Sequence, residues 1–394
     1  MNAVPAGLSS TAPVASPHLT LQDSETPGPG SLDSPTGRDP LERRLREGLT
    51  AAADLLAADG IPVPPLEGKL LRPLFALALI PEARRASLDI RFWFGALAIQ
   101  MVHEASLLHD DVIDSAATRR GAATVASRHG VARAAVLGDH SLTAAYRAAA
   151  RTGSFAFLER FTEAVERTVA GEVAQGRASG RLLTVEEYDA SITGKSGELF
   201  GIAAALGAAT ADLHDADARH RIGCAFGNLY QRLDDLIDYC HLAETGKPPL
   251  QDYRHEKWSW VLGLTSIDDF DRDPRDVVDE IFRRTGQEPS VARRGLEELH
   301  DRKRQLLREA GRLGSATEAL RRILECAIRD HETRMVLPPL NVASPGVGPV
   351  GDATSPEALV RARARALGGP QEWRAYFGAH ARTFSLAARL FPPM

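Results

Sequence analysis

The chain has 394 residues, is 44% hydrophobic and carries a formal net charge of -5, enough to bury one large core and within the size range of two domains. Its slight acidity, with no long Lys/Arg-rich run or basic amphipathic face, excludes the electrostatic footprint of a nucleic-acid-binding protein. The three cysteines, Cys224, Cys240 and Cys326, are odd in number and far apart. That suits reduced thiols packed as filler in a cytoplasmic protein better than a disulfide framework or a zinc site.

Residues 1–39 are rich in Pro, Ser, Thr and Gly, a composition that buries too little to offset its ordering entropy, and we expect a disordered tail. Its first basic side chain apart from His18 is Arg38, so the basic and apolar regions of an export signal are missing. Residues 40–340 then read as Ala/Leu/Arg-rich segments with apolar residues at three- and four-residue intervals, broken by Gly, Pro and Asp. This predicts an all-α domain of stacked helices with almost no strand. The most apolar stretch, Leu74 to Ile80, is far shorter than the roughly 20 residues a membrane span needs. The segment Phe92 to Asp114 predicts one long helix, apolar on most faces and therefore internal. Pro, Gly, Ser and Asp cluster again over 341–356, which predicts a linker, and 357–394 returns to a helical pattern too short to bury a core alone.

Two acidic clusters carry the chemistry. The internal helix ends in His109-Asp110-Asp111-Val112-Ile113-Asp114, and the chain repeats the spacing at Asp234-Asp235-Leu236-Ile237-Asp238. On a helix each cluster points two carboxylates, four residues apart, to one side with a third beside them. In apolar surroundings such carboxylates rise in pKa and destabilise the fold unless cations compensate. Oxygen-only ligands at this density suit Mg2+, which keeps waters and is shared with substrate phosphates.

Lysine is scarce, only five residues among 47 Lys+Arg, namely Lys69, Lys195, Lys247, Lys257 and Lys303. Four of them sit in turn-rich settings: Gly68-Lys69, Gly194-Lys195-Ser196, Gly246-Lys247-Pro248 and Glu256-Lys257-Trp258. A chain that otherwise uses arginine retains the compact ammonium where a phosphate oxygen demands it. Lys303, within Asp301-Arg302-Lys303-Arg304, reads as a solvated helix face. With Arg72 and Arg119-Arg120 beside the first cluster, cations and aspartates together suggest two anionic substrates, one held through metals and one directly.

These motifs resemble, in the same order, those of the trans-isoprenyl (polyprenyl) diphosphate synthase family over about residues 41 to 335. The set comprises Gly68-Lys69-x-x-Arg72-Pro73, Asp110-Asp111-x-x-Asp114 with Arg119-Arg120-Gly121, Gly138-Asp139, Gly171-Glu172-x-x-Gln175, Gly194-Lys195-Ser196, Tyr230-Gln231 before the second aspartate motif, and Gly246-Lys247-Pro248 with Asp252 and Lys257. The resemblance implies an isoprenoid-synthase helical bundle around a central cavity, a homodimer, and a magnesium-dependent prenyltransferase that condenses isopentenyl diphosphate with an allylic diphosphate. It implies that Lys69, Arg72, His103 and Arg120 bind isopentenyl diphosphate and that Arg119, Lys195, Lys247 and Lys257 hold the allylic diphosphate. Asp110, Asp114 and Asp234 would lead the magnesium ligands, with Asp111, Asp235 and Asp238 adjacent or acting through water. Lys195, Ser196 and Gln231 would line the tail-side of the cavity, the serine and glutamine offering oxygen dipoles to the positive charge. The chain departs from the family at Ala123 and Ala126, where a proline and a histidine are usual, and at Trp258-Ser259-Trp260-Val261, where Pro-Thr-Leu-Pro is common.

Two other readings use the same fold. A class I terpene cyclase needs one diphosphate site and usually an Asn/Asp-Ser-Glu second motif, which leaves Lys69, Arg72 and Arg120 without a substrate. A catalytically silent partner subunit would be expected to have lost aspartates. On the Asp110 helix Ala105 and Ser106 are small where an aromatic stops chain growth early in the family, so a product of C20 or longer is expected, with Met101 or Phe94 as floor. Residues from His380 through Ala381, Thr383 and Phe384 to Leu390 and Pro392 resemble the opening helix of squalene and phytoene synthases; an amphipathic helix docking on the body or on a second copy is the alternative.

Overall fold

The computed structural model describes residues 40–61, 63–66, 68–119, 122–181, 183–211, 213–240, 251–264 and 291–335. The expected tail (1–39), linker (341–356) and C-terminal helical segment (357–394) lie outside them, as do Arg120 and Lys247. Among the described residues the architecture is all-α. The elements are α1 (Pro40–Ala58), α2 (Leu71–Ala78), α3 (Glu82–Arg85), α4 (Ile90–Ile113), α5 (Val125–His129), α6 (Val131–Ala150), α7 (Phe155–Arg177), α8 (Val185–Ile192), α9 (Glu198–Thr210), α10 (Ala216–Cys240), α11 (Gln251–Arg254), α12 (Trp260–Gly263), α13 (Val291–Glu309) and α14 (Ser315–Met335). A π-helical turn, Thr193–Gly197, joins α8 to α9. One small hairpin, β1 (Thr118–Arg119) against β2 (Ala122–Ala123), is in keeping with the expectation of almost no strand. No helix of the described residues is long and apolar enough to cross a membrane.

Helix α4 is the axis, and it closely follows the predicted internal helix. Asp89 caps its start by accepting from the Arg91 amide at 2.9 Å, which satisfies one of the free N–H groups of the first turn. Every residue from Phe92 to Val102 is buried, so the helix needs cover on all sides, and α1, α2, α6 and α9 supply it. On the far side of α9 lies α10, and beyond α10 lie α13 and α14. Phe75 on α2 stacks on Phe226 of α10 with ring centres 4.4 Å apart, and Phe200 of α9 meets both rings edge-on at 5.5 and 4.9 Å. Aromatic contacts of this geometry add to the area they bury, and here they fix three helices that carry candidate site residues.

Helices α9 and α10 approach so closely that side chains are excluded between them. A Cβ on Gly223 would lie 2.2 Å from the Phe200 carbonyl oxygen, and one on Gly227 would lie 2.8 Å from Gly197 Cα. Beyond α10, the structure corrects the reading of Lys303. Its side chain is only 18% exposed and its Nζ lies 3.9 Å from Glu325, so it bridges α13 and α14 where the neighbouring Asp301 and Arg304 face solvent. Its charged neighbours in sequence hid this, because long stems bury methylenes while the head finds a partner.

These contacts give opposite expectations for two glycines. Gly223→Ala forces α9 from α10 and costs about 1–3 kcal/mol, whereas Gly176→Ala on exposed α7 backbone, where a Cβ meets nothing within 4 Å, gains about 0.5–1 kcal/mol. Urea-denaturation midpoints check both; a neutral Gly223→Ala contradicts the close packing.

Candidate active site

The first aspartate cluster sits at the C-terminal end of α4, with Asp114 as its cap residue. Carbonyl dipoles there add negative potential to the carboxylates, so the cluster demands cations more strongly than its own charge suggests. Ser115 turns the chain out of the helix at φ 48°, and Thr124 closes the following hairpin by donating from Oγ1 to the Ala116 carbonyl at 2.7 Å. That turn brings Arg119 back, and its Nε donates to Asp111 Oδ1 at 2.6 Å. Burial, with Glu172 and Asp114 adding to it, pushes the Asp110 carboxyl above its ordinary value against the pull of Lys195 and Arg119. His109, next to the cluster, faces away from it. Its Nε2 lies 3.2 Å from Asp139 and 3.2 Å from the Ala135 carbonyl on α6, in a space opened by Gly138.

Lys195 lies in the π turn, whose wider coil is a common feature of functional sites. The turn is seated by Asn228, which donates to Thr193 Oγ1 at 2.7 Å, and by Gly171, where a Cβ would lie 2.7 Å from the Lys195 amide nitrogen. The ammonium reaches Glu172 at 2.8 Å and donates to Gln175 Oε1 at 3.0 Å. Burial works to lower its pKa, but Asp110, Glu172 and the hydrogen bond to Glu172 outweigh it and hold the ammonium above its ordinary value. Ser196 beside it donates to Gln231 Oε1 at 2.7 Å, and Gln231 in turn donates to Asp235 Oδ1 at 2.8 Å.

The second cluster lies in the last turns of α10. Asp234 is exposed and Asp235 is buried. The other Asp235 oxygen accepts from the Tyr188 hydroxyl at 2.6 Å. Burial, then Asp252, push Asp235 well above the usual carboxylate range, against these two hydrogen bonds. Burial and Asp235 push the Tyr188 phenol up as well, so it stays a donor at neutral pH. Asp238 accepts from the Asp252 amide at 3.0 Å, and Lys257, whose own amide donates to the Asp252 carbonyl at 2.8 Å, reaches across to Asp114 at 2.7 Å. The two clusters are therefore joined by contacts through Lys257 and Asp252, while Lys195, in the field of Asp110, is followed by Ser196, which leads through Gln231 to Asp235.

The other described basic residues of the expected set are Lys69, Arg72 and His103. Gly68 at φ 76° and Leu70 at φ 47° form the bend that leaves Lys69 exposed. Arg72 stands over the Phe200 ring at 4.9 Å; burial lowers its guanidinium to about 10, with Tyr230, Asp234 and Glu104 pulling the other way, so it remains charged at neutral pH. His103 is half-buried on α4.

Sequence reasoning missed the layer behind the second cluster. Arg232 is 1% exposed and is sandwiched between Tyr188 at 4.9 Å and Trp260 at 5.3 Å. It pairs with Asp189 and, at 3.4 Å, with Glu298, and Trp260 Nε1 donates to its carbonyl at 3.1 Å. Trp258 meets Tyr188 edge-on at 5.4 Å. The residues Trp258 and Trp260 that depart from the family pattern thus build the aromatic wall that holds Tyr188 against Asp235. Their aromaticity was the available signal; their partners, far away in sequence, were not readable.

Comparison with known proteins follows the same lines. The family model for polyprenyl synthetase matches residues 63–299. The nonaprenyl diphosphate synthase of Mycobacterium tuberculosis is 32% identical over 194 residues, covering 48% of this chain and 56% of that protein. The octaprenyl diphosphate synthase of Escherichia coli is 34% identical over 175 residues, covering 44% and 54%. The chain thus spans about half the length of these curated relatives. A crystal structure of a polyprenyl synthase from Caulobacter crescentus, complexed with calcium and isoprenyl diphosphate, superposes with a TM-score of 0.58 at 25% identity, over 75% of this chain and 99% of that one. With its helical architecture and paired aspartate clusters matched by a family model over more than half its length, the chain belongs to the polyprenyl synthetase family.

Proposed function

We propose that the chain is a magnesium-dependent, cytoplasmic prenyltransferase that joins isopentenyl diphosphate to an allylic diphosphate and makes a product of C20 or longer. The observation that carries this reading is that Lys257 pairs with Asp114 of the first cluster while its segment, through Asp252, meets Asp238 of the second, with the Lys195 ammonium in the field of Asp110. Every carboxylate in that arrangement is an oxygen donor, several are buried against like charge, and lysines occupy the positions between them. This donor set fits hard divalent cations bridged by a diphosphate. The free thiol of Cys224 is consistent with a reducing compartment.

In this reading Asp110, Asp114 and Asp234 hold magnesium, with Asp111, Asp235 and Asp238 around them. When bound, magnesium supplies positive charge that stabilises the diphosphate as it leaves. Arg119, Lys195 and Lys257, exchanging carboxylate partners for phosphate, bind the allylic diphosphate oxygens directly together with Lys247. Lys69, Arg72, His103 and Arg120 hold isopentenyl diphosphate, with Arg72 kept charged and rigid over the Phe200 ring. The allylic C–O bond breaks with its electron pair on the departing diphosphate, and the isopentenyl double bond attacks the resulting cation. A proton is then lost to the released diphosphate, restoring the double bond. Ser196 and Gln231 present oxygen dipoles near that cation, and Tyr188 fixes their partner Asp235. Water is kept out by the helical walls.

We also propose a homodimer. Val136 on α6 is 65% exposed, and Phe155, Val169 and Val173 on α7 are 78%, 53% and 48% exposed. Val169 and Val173 stand one turn apart on one helical face, with Phe155 on the same side of α7 beyond Thr162 and Glu166; exposed apolar side chains of this kind are what a second copy covers.

Replacing Asp110 or Asp234 by Ala removes a ligand of the magnesium that would stabilise the departing diphosphate, so kcat falls by about a hundredfold or more with the fold intact. Steady-state assays with isopentenyl diphosphate, allylic diphosphates and saturating magnesium check this, with circular dichroism as the folding control; near-normal turnover in either variant overturns the reading. Chain length is tested separately. Ala105, Met101, Ala98 and Phe94 are all buried on α4, one face leading away from Asp110, and Ala105→Phe shortens the product. An unchanged product distribution shows that this face does not line the growing chain.

A further inference from the structure

Away from the aspartate clusters, a different set of ligating side chains converges where α9 meets α10. Glu198 opens α9, and His220 and Cys224 stand one turn apart on α10, on the same helical face; one ligand atom from each lies within 4.8 Å of the others. Glu198 Oε2 lies 3.1 Å from His220 Nε2, and Cys224 Sγ lies 3.9 Å from Nε2 and 3.6 Å from Nδ1. Metal bonds of about 2.0–2.1 Å to nitrogen and oxygen and about 2.3 Å to sulfur generate tetrahedral edges of roughly 3.3 Å for N···O and 3.6 Å for N···S. The three side chains already stand close to those edges.

Several features show a built site. Gly201 makes room for it, since a Cβ there would lie 2.6 Å from Cys224 Sγ and 2.7 Å from His220 Nε2. Glu198 is 4% exposed, and Arg167 orients it by donating to Oε1 at 3.3 Å. The other oxygen, Oε2, is buried and faces His220 Nε2 at ion-pair distance, a contact that a cation would bridge. An outer partner that fixes one carboxylate oxygen while the other ligates is the usual arrangement behind metal sites. Glu198 and His220 also line a cavity of about 600 Å3, together with Glu159, Arg160, Glu163, Arg167, Asp217 and Arg221, which provides an entry path to those two ligands.

We propose that Glu198, His220 and Cys224 form a site for a thiophilic divalent cation such as Zn2+, separate from the magnesium-type aspartate clusters. A sulfur, an imidazole nitrogen and one carboxylate are a donor set for zinc rather than magnesium. On binding, the Cys224 S–H bond breaks, its proton passes to solvent and a metal–sulfur bond forms, with no change of oxidation state. Burial pushes the free thiol up to about 12, so without a cation it is a neutral, inert group. The ion would clamp the first turn of α9, directly after the π turn carrying Lys195 and Ser196, to the helix carrying Asp234. It would therefore position the two halves of the active site rather than touch substrate.

The test is a cobalt titration of the full, metal-stripped chain. The expected result is a thiolate-to-cobalt charge-transfer band saturating at one ion per chain, abolished by Cys224→Ser, weakened at least about tenfold in affinity by His220→Ala and Glu198→Gln, and retained by the Asp110→Ala, Asp234→Ala double variant. Zn2+ at the same stoichiometry raises the melting temperature of the wild type and leaves that of Cys224→Ser unchanged. Absence of the band overturns the proposal, as does a band that persists in Cys224→Ser. Should Cys224→Ser fail to fold, His220→Ala and Glu198→Gln decide, and unchanged cobalt affinity in both overturns it.

Discussion

Mutual repulsion between two sets of carboxylates, brought together in a partly dry interior, is the constraint on which the rest of this structure depends. Asp110 is pushed up by burial and by its acidic neighbours, and Asp235 is pushed up by burial and by Asp252. Buried charge of one sign is tolerated only when opposite charge or strong donors meet it. The chain answers with Arg119 on Asp111, Lys257 on Asp114 and Lys195 beside Asp110, and with neutral donors from Tyr188 and Gln231 on Asp235. In the proposed reading, these are the cations that a polyanion and its metals would release.

Holding that arrangement requires a stiff frame, and the frame is made from absences as much as contacts. Gly223, Gly227, Gly197 and Gly201 let α9 lie almost backbone to backbone on α10, while Gly171 lets α7 approach the π turn. The turn itself changes the helical phase between α8 and α9, so that Lys195 points towards Asp110 and Glu172 while Ser196 reaches Gln231 on α10. Behind the second cluster, the Tyr188–Arg232–Trp260 stack and its ion pairs to Asp189 and Glu298 tie α8, α10, α12 and α13 to the same point. Ordering the frame and placing the charges are one problem solved by the same residues.

Much of this was legible in the chain because it is written locally. The identical spacing of Asp110-Asp111-x-x-Asp114 and Asp234-Asp235-x-x-Asp238, and the scarcity of lysine, are patterns that need no tertiary knowledge, and the apolar run that becomes α4 has an unambiguous period. What stayed hidden depends on partners remote in sequence. Tyr188 finds Asp235 across 47 positions, and Lys257 finds Asp114 across 143. Lys303 was misread because its charged neighbours are solvated while its own stem is covered by α14. The convergence of Glu198 and His220 on Cys224 is likewise not visible in cysteine spacing, since it depends on two other residue types. The hairpin at Thr118 to Ala123 is too short to show any alternation.

The central claim, that the facing carboxylates bind a diphosphate through divalent cations, is tested most directly by calorimetric titration of the chain with inorganic pyrophosphate. The account predicts saturable binding in the presence of magnesium and its loss when EDTA removes the metal. Pyrophosphate binding of equal affinity with and without magnesium would contradict it, because the lysines and arginines alone would then hold the anion.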